Sequence, residues 1–288
     1  PVATGGAPFV QLQEDGLPTV LFGDIQFGNN DYWTRFDATT QKVEAVRGGT
    51  AATFASQAPG AVINYISHTG QQEGGYIQLN KGLGYNETKV DFRYGGRLNE
   101  TMYFHLGGFY KVGKGPLKAG FNVSDSVQIK ANVTKEFDEG KGYIRFLFKY
   151  ADTREPNYTG APALATIAGG KVSDLRPFPG FDGRDQSNYS TLNQSFLIYN
   201  REGDLERVSM SGITTNAKAI QNQFHYEFSD AVTVDNNMRW TDMSGAFTAP
   251  FLGVTRASSI IGSTVNGGVV AQLRYASGPR AGQVYTGA

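Results

Sequence analysis

Residues able to do covalent chemistry are few in this chain, and they are scattered. There is no cysteine, which removes thiolate nucleophiles, disulfides and thiolate zinc sites. The three histidines, His68, His105 and His225, lie far apart, and none stands in the H-E-x-x-H spacing that sets two imidazoles on one helix face around zinc. Neither a G-x-S-x-G elbow nor a phosphate-cradling G-K-S/T run occurs; Gly113-Lys114-Gly115-Pro116 is a loop. Asp182 and Asp185 fall short of the further oxygen ligands that a calcium loop supplies. The expectation is a protein with no catalytic residue, no metal site and no cofactor.

Binding chemistry is better represented. Gln26-Phe27-Gly28-Asn29-Asn30-Asp31-Tyr32-Trp33 sets amides, a carboxylate and rings side by side. Asn30, Asp31, Tyr32 and Trp33 would suit a polar, ring-bearing ligand; the same residues would also serve as a turn packed on a neighbouring wall. A second candidate lies in the stretch 153–213, where Phe178, Phe181 and Tyr189 stand in a long segment of the kind that gates a ligand site. Asn-x-Ser/Thr triplets begin at Asn86, Asn99, Asn122, Asn132, Asn157, Asn188 and Asn193. Asn132 falls within an expected strand and Asn99 in a tight turn, which argues against glycosylation.

The elements that must position these residues are β-strands. The chain has 37 glycines, 19 Phe and 15 Tyr with 18% charged residues, a composition that favours sheet over helix. Its 26 basic and 26 acidic side chains cancel, and the pI is near 7.3, so nothing in the charge suggests a nucleic-acid partner. No apolar run of 18 residues marks a membrane helix. Both ends stop in mid-pattern, and the expectation is an internal piece of a longer protein.

Residues 1 to about 70 form a small, Gly-punctuated α+β pattern, with a short helical turn expected around Thr40 to Val46. Beyond Gly75 the pattern becomes long period-two strands, expected near 75–83, 88–98, 101–112, 125–137, 142–152, 214–228 and 232–243. Val127, Ile129, Ala131 and Val133, for example, alternate with Gln128, Lys130, Asn132 and Thr134. Tight joins at Asn99-Glu100, Asp138–Lys141 and Ser229-Asp230 alternate with longer ones, as in an outer-membrane barrel with short periplasmic turns and long extracellular loops. A charge at mid-bilayer on the lipid face costs about 2–4 kcal/mol, and across 88–98, 125–137, 142–152 and 232–243 the apolar parity is free of charge at its central positions. A soluble β-sandwich would show the same alternation with its polar face outside.

The junction reads Val43-Glu44-Ala45-Val46-Arg47-Gly48-Gly49, then Ala58-Pro59-Gly60-Ala61-Val62-Ile63-Asn64. It resembles the end of the plug in TonB-dependent outer-membrane receptors. Glu14-Asp15-Gly16-Leu17-Pro18 is similar to that family's plug strand ending in D-G-x-P, and Phe92 to Tyr110 to its opening barrel hairpin. Gly49 stands where the family has proline and Ala61 where it has a second glycine. The resemblance implies a mainly β chain: the C-terminal half of an α+β plug at 1–70, then the first seven or so strands of a large antiparallel transmembrane barrel at 71–288, with long extracellular loops near 153–213 and 244–288. Such barrels have about 22 strands. Seven leave open edges that lipid does not tolerate, so these residues alone are expected not to form a pore.

The resemblance further implies a non-enzymatic receptor of the bacterial outer membrane. It would bind a scarce nutrient, a ferric siderophore foremost or a glycan, and import it with energy delivered by TonB. The expected partners are TonB with its inner-membrane energising proteins (its contact segment lying outside this chain), the nutrient ligand and outer-membrane lipid. Glu44 and Arg47 would latch the plug to charged groups on the inner wall, with Asp91, Arg93 and Arg145 as possible partners; the alternative for the pair is a solvated local contact. Two other readings stay open: a soluble β-sandwich carbohydrate-binding module or glycosidase, and a passive porin-like barrel.

Overall fold

The computed structural model describes residues 10–20, 30–49, 53, 55, 60–250, 257–262, 264–265, 269–270, 272–275 and 278–286. Gln26–Asn29 and Ala58-Pro59 of the motifs above lie outside the described residues. The first strands are β1 (Val10–Glu14), β2 (Leu17–Pro18), β3 (Thr40–Arg47) and β4 (Ala61–Ser67), which form a mixed four-stranded sheet in the order β2-β1-β4-β3. β1 and β4 are parallel, with Val10 opposite Ala61 and Glu14 opposite Tyr65. The helical turn expected around Thr40 to Val46 is instead strand β3. Its β-branched Thr40, Val43 and Val46 suit a pleated surface, and β4 offers an edge to pair with.

The next strands are β5 (Gly74–Lys81), β6 (Glu87–Arg97), β7 (Met102–Gly113), β8 (Ser124–Phe137) and β9 (Gly142–Glu155). Within the stretch 153–213, expected as a long loop, lie two hairpins, β10 (Ala163–Ala168) with β11 (Lys171–Pro177) and β12 (Ser195–Tyr199) with β13 (Leu205–Ser209). β14 (Gly212–Ser229) and β15 (Val232–Thr248) follow, and β16 (Thr264–Val265) pairs with β17 (Val269–Val270). One antiparallel sheet of seven strands runs β15-β14-β9-β8-β7-β6-β5, so every strand expected beyond Gly75 is present and each neighbours the next. The chain divides into two compact units, one of residues 1–159 with 184–250, the other of 160–183 with 251–288. Phe178 and Phe181 belong to the second, where the Phe181 amide donates to the Phe178 carbonyl (2.9 Å) across a turn.

In the first unit the four-stranded sheet packs against one face of the seven-stranded one, and that face is the polar one. Ser124, Ser126, Gln128, Lys130, Asn132 and Thr134 of β8 are all buried, while of the apolar residues between them Val133 is exposed and Val127, Ile129 and Ala131 are partly exposed. Ile77 is 79% exposed and Trp240 60%; Phe146, Phe148 and Ile220 are exposed as well. A water-soluble sandwich buries its apolar face. This sheet does the reverse, which excludes the sandwich packing and fits a wall that meets lipid outside and a plug inside.

The apolar belt is oblique to the strands. One hydrogen-bonded row of outward positions reads Ile77, Phe92, Gly108, Ile129, Tyr150, Lys218, Asp242. It starts apolar and ends charged. On β14 and β15 the apolar outward residues lie lower, from Phe228 to Ile220 and from Val232 to Trp240, broken by Asn222 and Asn236. Barrel strands are tilted, so a level lipid belt must cut the rows at an angle, and Lys218 and Asp242 then sit above it.

Candidate plug anchor

Asp15 and Gly16 join β1 to β2 with positive φ angles of 51° and 88°. Only two residues separate the paired Glu14 and Leu17, the geometry of a type I′ turn, for which Asp-Gly is a preferred sequence. The Asp15 carboxylate accepts from the Ser67 amide (2.8 Å) and hydroxyl (2.7 Å), tying the turn to the end of β4. Burial pushes the Asp15 carboxyl up, against those two hydrogen bonds. Its backbone carbonyl accepts from three wall amides, Gln221 at 2.9 Å, Gln223 at 3.1 Å and Asn237 at 2.9 Å. The turn is thus held to β14 and β15 through the backbone.

That turn places Glu14 against the wall. Its Oε1 lies 2.7 Å from Lys130 Nζ and 2.7 Å from Lys149 Nζ, and its Oε2 lies 2.9 Å from Arg239 Nη2. The Glu14 side chain is 3% exposed. Lys130 and Lys149 are directly opposite each other on β8 and β9, a like-charge cross-strand pair that is unfavourable alone; Glu14 lies between them. Lys149 also donates to the Trp33 carbonyl at 2.6 Å. Small Ala219 separates Lys149 from the β15 side of the site, being paired with both Lys149 and Thr241. Burial alone would raise the Glu14 carboxyl, but the three cations overcome it and hold the group well below the usual carboxylate range. The adjoining cavity has a volume of about 20 Å³, room for one water. The cluster is built to hold, not to receive a ligand.

Further polar contacts extend the seam. Gln128 Nε2 donates to Asp37 Oδ2 at 2.6 Å and to the Arg35 carbonyl at 3.0 Å, and Asn132 donates to the His68 carbonyl at 2.8 Å. The His68 ring stacks on His105 of β7, with centroids 5.4 Å apart; burial, with Arg93 second, lowers the His68 pKa. Gly70, at φ 85°, follows this contact, and a Cβ there would lie 1.9 Å from the Phe104 carbonyl oxygen. Glycine lets the connection into the sheet lie flat on β7.

The candidate residues from sequence are dispersed. Glu44 pairs with Lys42 at 2.7 Å, both about half exposed. It and Arg47 lie three apart on a strand, hence on opposite faces rather than one side of a turn. Asp91 pairs with Lys89 at 2.8 Å, Arg93 lies over the Tyr76 ring, and Arg145 donates to Thr134 and Gln223. Asn30, Asp31 and Tyr32 form a 3₁₀ turn. Asp31 is exposed, while Trp33 is 9% exposed, packed with Val20, Ala151 and Ala217, and donates to the Ser244 carbonyl at 3.3 Å. Tyr189 is buried with Ala119 and Val123, its hydroxyl accepting from the Asn157 amide at 3.0 Å. Glu14 opens the Glu14–Pro18 motif, and nothing local to it marks a role. The available signal was Lys130 and Lys149, two mid-strand cations on the wet parity.

No protein-family model matches the chain, and no curated protein does. Solved structures do. The ferric-catecholate import receptor Fiu of E. coli K12, in its open form, is 14% identical with a TM-score of 0.55, covering 84% of this chain and 32% of that one. The ferric yersiniabactin uptake receptor FyuA of Yersinia pestis is 16% identical with a TM-score of 0.56, over 84% and 33%. The siderophore receptor PirA of Acinetobacter baumannii is 12% identical with a TM-score of 0.51, over 84% and 33%. The chain thus spans about a third of the length of the structures it matches. At these identities the likeness concerns the fold, and at that level it bears out the resemblance to TonB-dependent receptors: this chain has the fold of part of a plug together with seven strands of the barrel around it.

Proposed function

We propose that these residues belong to an outer-membrane receptor that binds a ferric siderophore outside the cell and imports it with energy delivered through TonB. The observation that favours this most is the inverted sheet, polar and buried against the plug on one side, apolar and bare on the other. In this reading residues 1–70 are plug and 71–288 barrel with its outer loops. Glu14 fills, among the described residues, the holding role that the resemblance gives to Glu44 and Arg47. Asn30, Asp31 and the half-buried Tyr32 are ligand candidates in the first unit and the half-buried Phe178 and Phe181 in the second, while Trp33 and Tyr189 are buried in the first. The chemistry is binding and release, without covalent steps. A polar seam suits this, because hydrogen bonds and ion pairs exchanged for water can be re-formed, whereas a plug seated on apolar packing would expose that surface each time it moved.

The test is uptake of radioactive iron, given as ferric siderophores, by iron-starved cells carrying the full-length protein. Uptake should require both the protein and the proton gradient. Uptake that persists unchanged with a protonophore or without TonB would overturn the transport reading in favour of a passive pore.

A further inference from the structure

We propose that the outward face of β14 and β15 is a contact for a second copy of this chain within the membrane, the two copies being related by a two-fold axis that passes between these strands. The inference rests on the outer-membrane reading above. On β6 to β9 the outward residues of the belt hold no amide and no charge, from Val90 to Tyr94, Phe104 to Tyr110, Val127 to Val133 and Ile144 to Tyr150. On β14 and β15 the belt is interrupted at its middle. Asn236 stands halfway between Val232 and Trp240, opposite Phe224, and Asn222 lies one diagonal step away, opposite Met238.

These amides are poorly satisfied. Asn236 is exposed and has no side-chain hydrogen bond among the described residues; Asn222 reaches the Arg145 carbonyl at 3.4 Å. Hydrocarbon offers an amide neither donor nor acceptor, so a polar group at this depth is costly unless protein covers it. Above the belt, Lys218 and Asp242 lie side by side in one row, both exposed, and neither forms an ion pair among the described residues. A lipid headgroup would meet these two charges but leave the amides below them bare.

Self-complementarity selects the occupant. Copies inserted in the same direction are related by an axis along the membrane normal, which keeps every residue at its depth. An axis between β14 and β15 sets β14 of one copy against β15 of the other. Lys218 then meets Asp242 of the second copy, and Asp242 meets its Lys218, so that each charge finds its opposite. The obliquity that carries the outward row from Ile77 up to Asp242 brings Asn222 and Asn236 to nearly the same depth. Across the axis each of them meets the other, and an amide both donates and accepts. Exposed Met238 and Trp240 supply apolar contact beside them. A patch of one sign would fit a foreign partner; two kinds of pair matched about one axis fit a copy of the same surface.

The test reconstitutes donor- and acceptor-labelled full-length protein in phosphatidylcholine vesicles at low density and reads the dimer fraction by energy transfer. The native protein should dimerise. Lys218→Asp alone and Asp242→Lys alone should each weaken dimerisation tenfold or more, because like charges then face each other across the axis. An equimolar mixture of these two variants should restore it, since one carries two acids at the contact and the other two bases. Asn222→Leu combined with Asn236→Leu should weaken it severalfold. A native protein that stays monomeric, or charge variants that dimerise as the native does, overturn the proposal. A mixture that fails to associate overturns the two-fold arrangement on which it stands. Insertion and heat-modifiable migration are scored separately: failure of the native protein there defeats the barrel reading, whereas an inserted native protein that stays monomeric defeats only this proposal and leaves the face to lipid or to another protein.

Discussion

Replacing Glu14 with Gln keeps the size and polarity of the side chain and removes its charge. Lys130 Nζ and Lys149 Nζ each lie 2.7 Å from the same oxygen, so they are at most 2.7 + 2.7 = 5.4 Å apart. With an effective dielectric constant near 20, each attraction to Glu14 is about 6 kcal/mol and the repulsion between the lysines at least about 3 kcal/mol. Desolvation cancels much of the attraction in the native state. What the substitution exposes is the uncompensated remainder, three buried cations facing one another, and losing one partner of a buried pair costs about 3–5 kcal/mol. At about 1.4 kcal/mol per tenfold, the dislodged plug should become roughly 150- to 5,000-fold more populated. Hydrogen exchange of the β1 and β4 amides in the full-length protein measures this directly. Adding Lys149→Met should restore part of the protection, because it removes one of the stranded charges. If β1 protection in Glu14→Gln stays within about fivefold of the native protein, the cluster does not hold the plug and the reasoning fails.

Four other predictions concern the anchor and the wall around it. The folded pKa of Glu14 is lowered, so its contribution is complete above its unfolded value near 4.3 and is lost as pH falls through the lowered folded value; plug protection should collapse only in strong acid. The His68 pKa is lowered as well, so its contribution is present above about 6.5 and is lost as pH falls below that toward its folded value. A shallow weakening as pH falls below about 6.5 should therefore vanish in His68→Gln, and its persistence would assign that step elsewhere. Phe148→Arg, on the bare face of β9, should cost about 2–4 kcal/mol of barrel stability in lipid vesicles, measured by urea titration, and a neutral result would mean this face does not meet lipid. Gly70→Val combines a left-handed φ with a Cβ 1.9 Å from a carbonyl oxygen and should lower the melting temperature by several degrees; no change would show that the connection does not lie on β7 as described.

The strands from Gly75 onward were legible because a period of two is a local property, and both faces of each strand announce themselves in the residues. The hairpin joins were legible for the same reason, Asp138–Lys141 and Ser229-Asp230 being short polar interruptions of long runs. Thr40 to Val46 was not, because seven residues without clean alternation leave propensity undecided, and pairing with β4 settles it. The two hairpins within 156–211 escaped for want of a pattern long enough to read.

Sequence by itself determined that the long strands have one charged and one apolar face. It could not determine which face is turned inward, since a sandwich and a membrane barrel share the alternation and differ only in what covers each side. The tertiary structure decided that by setting the plug on the polar face. It alone also made Glu14 the anchor, because Lys130, Lys149 and Arg239 lie 116, 135 and 225 residues beyond it and meet it only when the sheet wraps the plug. An ion pair between such distant positions leaves no local trace in the chain, only a carboxylate before a turn and cations on a wet face.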